Sequence, residues 1–176
     1  ALQVCLQLGG VEAGDEVITQ ALTFIATANA ISYLNAHPVF VDVDIDTMGL
    51  SPEKLNNFLQ QHAVLKNGIC FNKHTGRRIA ACMPMHTFGF SVRIDEISEI
   101  CTHWNIALIE DAAEAIGSEF KGKPLGSFGL LSAFSFNGNK TITSGGGGAI
   151  VSNDEQLGLR AKHLTTTARS EERRVG

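Results

Sequence analysis

The sequence predicts an α/β domain with a mainly parallel, mixed sheet flanked by helices. Short apolar runs rich in Val, Ile and Phe have the length and composition of buried strands, and segments of helical spacing separate most of them. Strands that alternate with helices are joined by right-handed crossovers and therefore lie parallel. At 176 residues and 44% hydrophobic, the chain carries enough apolar material for one sizeable core.

Strands are expected at residues 16–19, 38–43, 79–85, 107–109, 131–136 and 149–151. Three helices fall between them. Residues 25–34 are Ala-rich; residues 52–59 begin with Pro after Ser51, a favourable N-cap; residues 94–104 place Ile94, Ile97, Ile100 and Cys101 on one face. Residues 66–78, polar and punctuated by Gly68, Asn72 and Gly76, read as a loop or hairpin. A further helix starts after Asp154, where the apolar pattern fades. No repeat or low-complexity linker divides the chain, so residues 1–169 read as one domain and 170–176 as a tail outside the fold.

Charge and cysteine usage exclude several classes. The formal net charge is -4, and the 14 Lys and Arg residues are scattered, whereas nucleic-acid binding needs them clustered. The one basic run, Arg169 to Arg174, is broken by Glu171 and Glu172 and reads as a solvated tail. Cys5, Cys70, Cys82 and Cys101 form no CxxC pair, which points to buried reduced thiols in a cytoplasmic protein and to no metal site. No run of about 18 apolar residues marks a membrane span.

The chemistry-bearing residues gather at strand ends. Phe134-Ser135-Phe136-Asn137-Gly138-Asn139-Lys140 delivers small polar groups and a lysine into a loop, and Gly145 to Gly148 then let backbone pass close to another group. A lysine that forms an imine needs a rigid mount and a route to its neutral form; Ser135 and nearby amides could hold a phosphate. Taken alone, Lys140 reads as an ordinary exposed lysine, and the Asp111 strand end changes that weighting. Asp111 closes the apolar strand ending in Ile109-Glu110, at the edge where open α/β sheets bind ligands. A buried carboxylate needs a cation, and a protonated pyridine nitrogen is one; the alternative is an N-cap for a following helix. Phe24, after the first strand, is placed to stack on a flat ring or to sit in the core. His86 also ends a strand, as a functional or a structural histidine.

In this order the motifs GDEVITQALTFIATANAI, PVFVDVD, MPMHTFG, IEDAAEAIGS and FSFNGNKTITSGGGGAIVS resemble the DegT/DnrJ/StrS family of nucleotide-sugar aminotransferases. That resemblance implies the large domain of the pyridoxal 5′-phosphate (PLP) dependent transferases of fold type I, like aspartate aminotransferase, present here in part. It makes Lys140 the lysine that carries PLP as a Schiff base and shuttles protons, and Asp111 the partner of the pyridine nitrogen, which keeps the ring an electron sink. Phe24 falls where the family stacks an aromatic ring, Ser135 where a hydroxyl meets the phosphate, and Glu114 near the cofactor's 3′ oxygen. Asn137 and Asn139 flank the lysine as phosphate or substrate contacts.

The resemblance further implies an amino acid donor such as L-glutamate, a nucleotide-linked keto sugar (a 4-keto-6-deoxy sugar by its closest wording) and a role in bacterial surface glycans. It also implies a homodimer with shared sites. Related chains that carry His in place of this lysine resemble dehydratases, so Lys140 favours transamination. Departures matter as well: the family's Gly-Thr-x-Ala-Leu phosphate contact and its C-terminal small domain lie outside these residues. Another fold type I PLP enzyme, such as a lyase or desulfurase, and a catalytically silent regulator remain as alternatives. A dinucleotide-binding domain is weaker, since no GxGxxG follows an early strand.

Overall fold

The computed structural model describes residues 1–166. The expected tail at 170–176, and the domain end at 169, lie outside the described residues. Six strands form one sheet in the order β10-β9-β6-β5-β1-β2. They are β1 (Glu16–Gln20), β2 (His37–Val41), β5 (Ile79–Met83), β6 (Ala107–Asp111), β9 (Leu131–Ser135) and β10 (Gly148–Val151). All neighbours pair in parallel except β10, which runs antiparallel to β9 at the edge. The mainly parallel, mixed sheet is therefore as expected.

Helices cover both faces because successive residues of a strand point to opposite sides. Val17 faces a cluster with Leu6, Ile31, Met83, Ile109, Leu131 and Ala161, under α1 (Leu2–Leu8), α2 (Ile25–Ser32) and α5 (Glu155–Thr165). Ile18 faces the opposite cluster with Leu55, Leu59, Ile94 and Ile97, under α3 (Pro52–His62) and α4 (Ile94–His103). Ile94, Ile97 and Cys101 are buried on α4, the face its spacing indicated.

Local chemistry explains the boundaries. Ser51 Oγ accepts from the Lys54 amide at 3.3 Å and Pro52 opens α3, while Asp154 Oδ1 accepts from the Leu157 amide at 3.0 Å to start α5. Residues 66–78 resolve the loop-or-hairpin alternative: β3 (Ala63–Lys66) and β4 (Ile69–Asn72) pair antiparallel about a two-residue Asn67-Gly68 turn. A second small hairpin, β7 (Glu119–Phe120) with β8 (Lys123–Pro124), was not indicated by the sequence, nor was α1. Three strands end before their expected runs: β9 stops one residue short, and β2 and β5 two, since Val43 and Met85 make only isolated bridges, to Leu50 and Asp111.

All four cysteines are buried free thiols. Burial pushes Cys5 up to about 12 and Cys70 up to about 11, so neither is a thiolate near neutral pH. Among the described residues, no helix is long and apolar enough to cross a membrane.

Candidate functional site

The parallel strands β1, β5, β6 and β9 end along one edge of the sheet, and a cleft of about 1120 Å³ opens there. Phe24, Asp111, Glu114, Ser135, Asn137 and Lys140 all line it, as does Asn139. They come from three separate segments of the chain. Parallel pairing is what unites them, because it puts every carboxyl end of these strands on the same side.

Asp111, the last residue of β6, forms the floor and is 2% exposed. Its Oδ2 accepts from Thr27 Oγ1 at 2.7 Å and its Oδ1 from the Ala113 amide at 3.2 Å. The N-cap alternative is set aside, since turns rather than a helix follow residue 111. Burial raises the Asp111 carboxyl above its ordinary 3.8, against the smaller lowering influence of the Thr27 and Ala113 bonds and of the His86 and Lys140 charges. No cationic side chain among the described residues forms an ion pair with it. A buried carboxylate with two donors and no counter-charge suits a cationic ring nitrogen placed above it.

Lys140, in the loop after β9, is not the exposed lysine of the alternative reading: its side chain is 14% exposed. Its Nζ donates to Glu114 Oε1 at 3.1 Å, so Glu114 meets the amine directly. Phe24 is 68% exposed and belongs to none of the apolar clusters, so its ring is open to the cleft rather than core. Among the described residues Ser135 Oγ bonds only the Asn137 amide, at 3.4 Å, and Asn137 Nδ2 donates to Asn139 Oδ1 at 3.1 Å. These polar groups at the end of β9 keep spare hydrogen-bonding capacity for an anion. The glycine run serves the chain itself in part, since a Cβ on Gly148 would lie 2.3 Å from the Phe134 carbonyl oxygen across the β9–β10 pair.

Beneath the floor lies a network that sequence reading missed. Glu110, wholly buried, accepts from the amides of Gly126 (2.8 Å), Phe128 (2.8 Å) and Gly129 (2.6 Å), from Ser132 Oγ (3.2 Å), and bonds His86 Nε2 (3.0 Å). Burial, the largest influence, pushes Glu110 up, but the His86 bond and those amides together outweigh it and leave the carboxyl below its ordinary 4.5. His86 is thus a buried structural partner outside the cleft lining, with Nδ1 lacking a protein hydrogen-bond partner. A glutamate inside an otherwise apolar strand was the available signal for this network.

The rim is held by Gln20, fully buried at the end of β1. Its Oε1 accepts from the amides of Leu50 (2.9 Å) and Met85 (3.1 Å), and its Nε2 donates to the Leu22 carbonyl (2.9 Å) and to Thr87 Oγ1 (3.1 Å). One Gln therefore fastens three loops around the cleft mouth. Beside them Phe88 adopts φ 54°, ψ 23°, a left-handed conformation that costs a bulky residue on the order of 1–3 kcal/mol.

The model of the DegT/DnrJ/EryC1/StrS aminotransferase family matches residues 1–175. The chain is 41% identical over 169 residues to EpsN of Bacillus subtilis, covering 96% of the chain and 41% of that protein. It is 40% identical over 164 residues to the GDP-perosamine synthase of Escherichia coli O157:H7, covering 93% of the chain and 41% of that enzyme. The crystal structure of a DegT DnrJ EryC1 StrS aminotransferase from Brucella abortus superposes with a TM-score of 0.83 at 30% identity, over 97% of this chain and 44% of that one. The chain therefore spans about two fifths of the length of the curated relatives it matches.

Proposed function

Because the chain belongs to the DegT/DnrJ/EryC1/StrS aminotransferase family, we propose that the whole protein uses PLP to move an amino group from an amino acid donor to a nucleotide-linked keto sugar. The observation that carries this reading is the pairing of Asp111 and Lys140 across one cleft. A buried carboxylate without a counter-charge forms the floor, and a sheltered amine lines the same cleft beside Glu114. When bound, PLP supplies an electron sink that stabilises carbanion character at the substrate carbon.

The chain's own residues supply the rest. Asp111 Oδ holds a proton on the ring nitrogen, fixed in orientation by Thr27 Oγ1 and the Ala113 amide. Phe24 presents its exposed ring to a flat cofactor, and Ser135 and Asn137 offer a hydroxyl and an amide group to a phosphate. Glu114 Oε1 accepts a hydrogen bond from Lys140 Nζ, a contact that bound cofactor would displace. With the cofactor bound, Lys140 Nζ would serve as nucleophile, would take a proton from the donor carbon in the first half-reaction and would deliver one to the acceptor carbon in the second.

Similarity to a GDP-perosamine synthase supports a sugar acceptor. The finer reading is a 4-keto-6-deoxy sugar on UDP or GDP, with L-glutamate as donor, on a route to bacterial surface glycans in the cytoplasm, in a homodimer. The test is to load the whole protein with PLP and offer L-glutamate and a panel of nucleotide-linked keto sugars. A product heavier by the exchange of oxygen for an amino group, seen by mass spectrometry, supports the reading. Elimination or desulfuration of amino acids with no aminated sugar, or a protein that takes up no cofactor, contradicts it.

A further inference from the structure

Phe88 has no structural role that accounts for its conformation. It is 71% exposed and belongs to none of the three apolar clusters, yet its backbone is left-handed. The surrounding turn enforces this. Thr87 Oγ1 donates to the Met48 carbonyl at 2.8 Å and accepts from Gln20, the His86 amide donates to the Asp111 carbonyl at 3.1 Å, and the Gly89 amide returns to the His86 carbonyl at 3.1 Å. On the far side Gly89, itself at φ 83°, sits so close that a Cβ there would lie 2.7 Å from the Glu114 carbonyl oxygen. Clamped on both flanks, the chain must turn at residue 88, and the turn leaves the ring in the lining of the cleft that Glu114 and Lys140 also line. Strain that surrounding contacts maintain at a site, with no packing gain in return, marks a residue kept for what it touches.

Resting on the function proposed above, we propose that Phe88 is a specificity-determining residue that packs its ring against the sugar of the nucleotide-linked acceptor. The cleft, at about 1120 Å³, exceeds what a small amino donor occupies beside a cofactor. Phe24 already offers a ring for the flat cofactor, so a second exposed ring in the same cleft is free for the larger substrate. The C–H face of a pyranose, and above all a deoxygenated carbon, is apolar and matches an aromatic face.

The test uses the whole PLP-loaded protein and follows the donor and acceptor half-reactions separately by the cofactor's absorbance. Calorimetric titration with the acceptor nucleotide sugar runs beside it. Phe88→Ala and Phe88→Gly should raise the acceptor KM and weaken its binding about ten- to a hundredfold, with the donor KM moved far less. Phe88→Tyr should restore most of the loss. Phe88→Gly relieves the backbone strain, so its melting temperature should not fall below that of the wild type, which separates lost contact from lost fold. Equal rises in donor and acceptor KM, or an acceptor KM and affinity unchanged in Phe88→Ala, overturn this inference alone. A wild type that reacts with the donor but with no nucleotide-linked keto sugar overturns the proposed function and this inference with it.

Discussion

Replacing Asp111 with Asn separates a residue kept for chemistry from one kept for the fold. Asn has the same shape: its Oδ1 keeps the Ala113 amide and its Nδ2 faces Thr27 Oγ1, which can accept from it while donating to Thr23, so the main loss is the buried charge. Burial raises the Asp111 carboxyl in the folded protein. Well below pH 4 both folded and unfolded states hold the proton, and the charge costs nothing. As pH rises past the ordinary value the unfolded state ionises first, and stability is lost until the folded carboxyl ionises too. Each unit of the raise is worth about 1.4 kcal/mol at neutral pH. The cofactor-free Asp111→Asn protein should thus match the wild type near about pH 3 and be the more stable of the two near about pH 7. Thermal unfolding across that range measures this. The same variant, loaded with PLP, should lose about 10²–10³-fold in kcat, the scale on which a lost electrostatic partner acts. A variant destabilised at neutral pH, with activity falling only in proportion, would show that Asp111 is a structural pin and refute the reasoning.

Two further outcomes follow from the same geometry. Glu110→Gln places an amide donor among amides that already donate, and should cost about 3–5 kcal/mol by denaturant unfolding. Because the folded Glu110 carboxyl is lowered, the wild type keeps that stability above the ordinary carboxylate value and loses it as pH falls through the lowered one, so the gap between the two proteins should narrow in acid. Gly89→Ala adds a Cβ at positive φ against the Glu114 carbonyl and should cost about 1–3 kcal/mol while slowing turnover through the shift of Glu114; an unchanged melting temperature would contradict the close approach.

The sheet was legible because its signal is local. Buried parallel strands are continuous apolar runs, and each of β1, β2, β5, β6, β9 and β10 overlaps one. Their ends were less so, because residues 42–43 and 84–85 continue the apolar pattern after the ladder has stopped, where loops fastened by Gln20 take over. Helix α1 was invisible for a related reason: it is seven residues long without a capping side chain, and tertiary packing of Cys5, Leu6 and Leu8 sustains it.

For the site, the sequence located side chains at strand ends but not their partners. Lys140 and Glu114 stand 26 residues apart, and Thr27 reaches Asp111 across 84, so no spacing rule joins them. Glu110 and Phe88 were passed over because their meaning lies in burial and in backbone conformation, which appear only once the chain is folded.

We propose that Lys140 is the amine that holds PLP opposite Asp111. Borohydride reduction of the whole PLP-loaded protein, followed by proteolysis and mass spectrometry, tests it most directly by fixing the cofactor to whichever lysine carries it. A single pyridoxyl group is expected on the peptide containing Lys140, and none in a Lys140→Arg variant. A pyridoxyl group on another lysine, or equal labelling of that variant, would contradict it.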